Sequence, residues 1–93
     1  MSKLPIRKFL DLSTGHLREE TCDQLNALEG LHPYETEHGW FLYATPNAAE
    51  YAEKHDWPQE VLPILELARA NDCDYVMFDA DAPEVDGLPY WEW

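Results

Sequence analysis

Runs of apolar residues at four places along the chain predict β-strands, because their lengths suit strands better than helices. The predicted strands cover 6–12, a short segment beginning at Tyr34, 40–44 and 75–78. The run over 40–44 is almost entirely aromatic and apolar, as expected of a central strand. A last strand is predicted in the segment 87–93, where Pro89 suits only the edge of a sheet.

Apolar residues at helical spacing predict three helices between these strands. Leu17, Leu25 and Leu28 share one face of a helix predicted over 16–28, which Gly30 ends. A short helix is expected over 48–52 and a longer one over 60–71. The buried face of the longer helix is predicted to consist of Val61, Ile64, Leu65 and Ala68.

The resulting order, β-α-β-β-α-α-β-β, predicts a small two-layer α+β fold. We expect a mostly antiparallel sheet of three to five strands, with two or three helices packed on one face. Residues 1–93 show no repeat, linker or low-complexity tract, and are therefore interpreted as a single acidic domain.

The charge is strongly negative and unevenly distributed. The chain has 19 Asp or Glu and six Lys or Arg, for a formal net charge of -13. Residues 1–18 are basic, whereas residues 19–93 have only Lys54 and Arg69 against the remaining acids. So few cations exclude direct binding to nucleic acid and docking on anionic membranes. Aromatic residues make up 13% of the chain, which indicates a folded domain rather than an acidic disordered segment.

Acids are densest near the C-terminal end, where aromatic residues are interleaved with them. Carboxylates beside aromatic anchors suit binding to a basic groove of a partner. The predicted partner-binding residues are Asp72, Asp74, Asp79, Asp81, Glu84, Asp86, Tyr90, Trp91, Glu92 and Trp93. Four further acids are expected to add to the field: Glu19, Glu20, Glu35 and Glu37.

Signals for catalysis and cofactors are weak. Asp79 and Asp81, with Asp86 behind them, offer an alternative as a small metal-binding domain or enzyme, although the calcium-loop pattern fails here. The four histidines lack zinc-site spacing and are expected to be structural or solvent-facing. Phosphate-binding and hydrolase motifs are missing, so no catalytic residue, metal or cofactor is predicted. Cys22 and Cys73 are expected to be reduced and buried.

Several segments together resemble a family of small bacterial domains of unknown function from plasmid- and prophage-associated proteins. The segments are Gly15-His16, Gly39-Trp40-Phe41, the helix Pro58 to Ala68, Cys73 to Asp81, and Leu88 to Trp93. The resemblance implies a mobile-element context and supplies no catalytic residues. By analogy with acidic inhibitors from such elements, it suggests imitation of DNA.

The leading hypothesis is a non-enzymatic, cytoplasmic acidic protein that binds a basic, nucleic-acid-binding surface of a host protein or ribonucleoprotein. It would act as a monomer or homodimer, and as a DNA mimic against a bacterial defence system such as CRISPR-Cas or restriction. A second alternative to this hypothesis is an antitoxin-like or oligomeric regulatory subunit with an apolar patch at Trp91 and Trp93.

Overall fold

The computed structural model describes residues 6–92, and these form a four-stranded mixed sheet with helices on one face. The strands are β1 (Phe9–Ser13), β2 (Tyr34–Thr36), β3 (Gly39–Tyr43) and β4 (Tyr75–Asp79). Their spatial order is β1-β4-β3-β2, with β1 parallel to β4 and the other two pairings antiparallel. The predicted α+β class is confirmed.

Three α-helices accompany the sheet: α1 (Glu19–Asp23), α2 (Ala48–His55) and α3 (Val61–Ala70). In α3 the four predicted core residues are all buried. Pro63 lies in the first turn of that helix, where the missing N–H breaks no helical hydrogen bond. The core of the protein forms where α3 packs against Leu12, Leu42 and Val76 of the sheet.

The single helix predicted over 16–28 is wrong. The segment folds as a 3₁₀ turn (Thr14–His16), the short α1, and a second 3₁₀ turn (Leu25–Ala27). Leu17, Thr21 and Leu25 are nevertheless buried, because 3₁₀ turns also bring residues three or four apart to one side. These side chains therefore reach the core without a continuous helix.

The edge strand predicted over 87–93 is also wrong for its described part, since no residue from 80 to 92 is in a strand. Two prolines remove backbone donors, at Pro83 and Pro89. Instead of a ladder, one backbone hydrogen bond ties this segment to the first turn, from the N–H of Trp91 to the carbonyl of Gly15 at 2.8 Å. We call residues 80–92 the tail.

Candidate functional site

His16 holds the tail against the body of the protein. Its side chain is buried, and Nδ1 donates to the carbonyl oxygen of Pro89 at 2.8 Å. Its Nε2 accepts the backbone N–H of Val85 at 2.9 Å. A backbone N–H can only donate, so Nε2 carries no proton and the imidazole is the neutral Nδ1–H tautomer. An uncharged histidine therefore bridges two points of the tail, in agreement with the structural role expected for it.

The aromatic residues predicted as partner anchors pack largely on their own chain. The ring of Tyr90 meets His16 edge-on, with centroids 5.3 Å apart, and Tyr90 is 38% exposed. Trp91 is half-buried beneath the guanidinium of Arg18, whose carbon lies 5.3 Å from the ring centroid. Trp93 lies outside the described residues. The two rings that can be described thus contribute to tail docking, and little of Trp91 is free for a partner.

Most of the predicted acidic residues face solvent. Five of them are exposed: Asp72, Asp81, Glu84, Asp86 and Glu92. The four supporting acids are also exposed: Glu19, Glu20, Glu35 and Glu37. Asp74 and Asp79 are half-buried and have partners in the protein: Nη1 of Arg69 lies 3.2 Å from Asp74, and Oδ1 of Asp79 accepts the N–H of Asp81 at 2.8 Å.

Very few carboxylates are neutralised within the fold. Between residues 6 and 92, Arg69 with Asp74 is the one ion pair that joins a Lys or Arg to a carboxylate. Two others involve histidine, His55 with Glu29 at 3.2 Å and the looser His38 with Glu37 at 4.0 Å. The surface of the described chain therefore presents a large excess of unpaired negative charge.

The described residues offer neither a cluster of metal ligands nor an activated thiol. Across residues 6–92 no group of three or more His, Cys, Asp or Glu side chains is placed to hold a metal ion. Both cysteines are free thiols; Cys73 is buried and Cys22 half-buried. Burial raises the pKa of the Cys22 thiol, assisted by the charges of Asp23 and Glu35 and opposed by a hydrogen bond with Trp40. A raised pKa lowers the fraction of reactive thiolate.

One carboxylate is buried, and the surrounding groups stabilise its charge. Glu60 accepts the backbone N–H of Arg18 at 3.0 Å. Burial would raise the pKa of Glu60, but hydrogen bonds from Thr21, Arg18 and its own N–H, with the charge of Arg18, outweigh burial and lower it. A cleft of about 220 Å³ beside Glu60 is lined by Ile64, Leu88 and Trp91 among others.

The face of the sheet opposite the helices carries a cluster of aromatic side chains. Side chains alternate along each strand, and those turned away from the core include Phe9, Tyr34, Phe41, Tyr43, Tyr75 and Met77. We call this set the open face. Phe41 stacks on Tyr75 with ring centroids 5.0 Å apart, while Phe9 and Tyr43 meet these rings edge-on at 6.0 and 5.7 Å.

The open face was not predicted from the sequence, because the apolar run over 40–44 was interpreted only as a central strand. The structure divides that run by alternation: Trp40, Leu42 and Ala44 enter the core, whereas Phe41 and Tyr43 do not. The same alternation in β4 was visible in the sequence, where Val76 and Phe78 alternate with Tyr75 and Met77. Period-two spacing of two apolar sets was the signal that could have revealed a two-sided apolar sheet.

No helix among residues 6–92 is long and apolar enough to span a membrane.

Comparisons with known proteins identify a family and no individual relative. No curated protein and no solved structure gives a significant match to the chain. The model of the C-terminal domain of a family of unknown function, DUF5983, matches residues 9–93, which include all four strands. The chain therefore belongs to the DUF5983 family.

Proposed function

We propose that this chain is a non-enzymatic interaction protein that binds a basic, nucleic-acid-binding surface of a partner protein. The observation that carries this proposal is the excess of exposed carboxylates with so few internal ion pairs. A net charge of -13 on 93 residues exceeds the magnitude of about 2–8 that suits a small soluble domain. Charge beyond that range adds repulsion within the fold, so a binding role offers a reason to retain it.

The charge suits a cationic partner in two ways. Long-range attraction accelerates encounter with a basic groove, and it disfavours partners of the same sign. Carboxylates on a folded scaffold also present fixed negative charges, as phosphates do along a nucleic acid. We therefore propose the more specific role of a DNA mimic that inhibits a bacterial defence system, such as CRISPR-Cas or restriction. A cytoplasmic location and a plasmid or prophage context belong to the same proposal.

Affinity capture at two salt concentrations tests the proposed function. The immobilised protein is incubated with bacterial lysate at about 50 mM and about 500 mM NaCl, because screening at high salt weakens exposed charge pairs. We expect nucleic-acid-binding proteins to be retained at low salt and released at high salt. Retention only of partners that are indifferent to salt would contradict the proposal.

A charge-neutralised variant provides the matched control for this capture. Glu84→Gln, Asp86→Asn and Glu92→Gln remove three exposed tail charges. Amides of similar shape at exposed positions should change stability by no more than about 0.5 kcal/mol each. We expect this variant to retain less of each salt-sensitive partner than the wild type does. Equal retention would show that these tail acids do not contribute to binding.

A further inference from the structure

The open face forms an ordered set of rows across the sheet. At the end where β1 and β4 begin, Phe9, Tyr75 and Tyr43 are paired in register across three strands. In the next row Met77 pairs with Phe41 on one side and with Asp11 of β1 on the other. Tyr34 extends this row onto β2, opposite Phe41. Five aromatic rings and a methionine thus occupy two consecutive rows on one side of the sheet.

The residue composition of the open face is unusual for a sheet face that contacts only water. Sheets with one solvated face usually place polar residues on that side, so that apolar and polar positions alternate. Here five of the outer positions are aromatic, and several of these rings are substantially exposed: Tyr34 is 74% exposed, Phe9 47% and Tyr43 43%. Contiguous exposed apolar patches on a small protein usually mark interaction sites. The composition of the open face therefore favours a binding surface over a solvated one.

Negative charge borders one edge and one end of the open face. Asp11 lies at the β1 edge of the second row, paired with Met77, and Asp79 lies on β4 in the row after it. Asp81 follows directly, with its N–H bonded to Asp79 at 2.8 Å. The β2–β3 turn, which carries Glu37, also reaches this end, where the carbonyl of His38 accepts the N–H of Ala80 at 2.9 Å.

The combination of aromatic rings and carboxylates indicates which kind of side chain the open face would bind. A guanidinium group is planar, stacks on aromatic rings and pairs with carboxylates in a fork geometry, whereas an ammonium group is a compact point charge. A second copy of this chain is disfavoured, because each copy carries a net charge of -13 and would bring its own acidic border to the interface.

We propose that the open face, rather than the tail, is the main docking surface, and that it binds an arginine-bearing segment of a basic partner protein. This inference rests on the proposed function and names the site and the side-chain chemistry that it recognises. Arginine side chains lie on the exposed rings of Phe9, Tyr34 and Tyr43, and further arginines pair with Asp11 and Asp79.

Two peptides of equal charge test the proposal. Hepta-arginine and hepta-lysine are titrated into the intact protein by isothermal calorimetry at several salt concentrations. Binding to carboxylates alone would treat the two peptides alike, whereas stacking on rings favours arginine by about fivefold or more. The double variant Phe9→Ser/Tyr43→Ser should lose about tenfold in affinity for hepta-arginine and much of its preference over hepta-lysine.

Three further variants keep the test independent of folding. Tyr34→Ser changes the most exposed ring of the open face and should weaken hepta-arginine binding while leaving unfolding by urea almost unchanged. Asp11→Asn and Glu53→Gln each remove one exposed charge, the first beside the open face and the second on α2 on the opposite side. We expect Asp11→Asn to reduce the affinity more than Glu53→Gln does.

Each remaining outcome has a definite meaning. Suppose that binding depends on salt, but that the affinity is equal for the two peptides and unchanged in the ring variants. That result would overturn the open-face proposal and leave the proposed function intact. No salt-dependent binding of either peptide would overturn both. A concentration-dependent dimer in sedimentation, abolished by Phe9→Ser/Tyr43→Ser, would assign the open face to a second copy and overturn the arginine proposal.

Discussion

The rings of Phe41 and Tyr75 stack across the β3–β4 pairing, with centroids 5.0 Å apart and planes inclined by 22°. Edge-on contacts from Phe9 and Tyr43 hold this pair on both sides. Side chains that are already packed lose little conformational freedom when a partner arrives, so less of the binding free energy is spent on ordering them. These four rings of the open face therefore form a preorganised platform.

His16→Ala should destabilise the protein by about 2–4 kcal/mol, since it removes a buried ring and leaves two tail groups without partners. The groups concerned are the N–H of Val85 and the carbonyl of Pro89. Urea unfolding followed by tryptophan fluorescence measures the effect. The control is His38→Ala at an exposed histidine, which should change stability by less than about 0.5 kcal/mol. Equal effects of the two substitutions would contradict the role assigned to His16.

Glu60 should make stability depend on acid pH. Its pKa in the folded protein lies below the ordinary value of 4.5, so the charged form stabilises the fold above pH 4.5. That contribution is lost as the pH falls through the lowered pKa. The difference in unfolding free energy between wild type and Glu60→Gln should therefore be greatest near neutral pH and shrink below pH 4.5. A difference that stays constant from pH 7 to pH 3 would rule out this linkage.

Two glycine substitutions should have very different costs. A Cβ at Gly39 would overlap the carbonyl oxygen of Phe78, a backbone atom that cannot move without disturbing the β3–β4 pairing. Gly39→Ala should thus cost at least about 3 kcal/mol or prevent folding. Gly87 has open space around it and φ of +94°, so Gly87→Ala should cost only about 1–2 kcal/mol from backbone strain. Thermal unfolding of both variants measures this, and a reversed order would contradict the structure.

Gly15 should be required for docking of the tail. A Cβ at this position would overlap the ring of Tyr90, and the carbonyl of Gly15 also accepts the N–H of Trp91. Gly15→Ala should displace the end of the tail and increase amide hydrogen exchange at Trp91 and Val85, while amides of β3 and β4 stay protected. Unchanged exchange at Trp91 would show that Tyr90 can shift without releasing the tail.

The sheet and α3 were predictable because short apolar runs and one long amphipathic face leave little choice of element. The helix over 16–28 was not, because Leu17, Thr21 and Leu25 satisfy their burial in either a helix or a chain of short turns. The parallel pairing of β1 with β4 depends on contacts between residues more than 60 positions apart. The local pattern of apolar and polar residues does not indicate which distant strands pair.

The candidate site divides in the same way. The exposure of the tail acids followed from their charge, since burying an unpaired carboxylate is costly. The docking of Tyr90 and Trp91 did not follow from sequence, because it depends on residues about 70 positions away. Tyr90 packs on His16, and Trp91 contacts Arg18 and the carbonyl of Gly15. The open face was hidden by its resemblance to core, since Phe and Tyr at alternate positions look the same whether a helix or a partner covers them.

The most direct test of the central claim is a backbone-amide NMR titration of the intact protein with hepta-arginine at low salt. If the open face binds arginine, the largest shifts will occur at Phe9 to Asp11, Phe41 to Tyr43 and Tyr75 to Met77, and they will vanish as salt rises. Amides of α2 on the other side of the sheet should hardly move. Shifts confined to residues 84–92, or spread evenly over every acidic segment, would contradict the account.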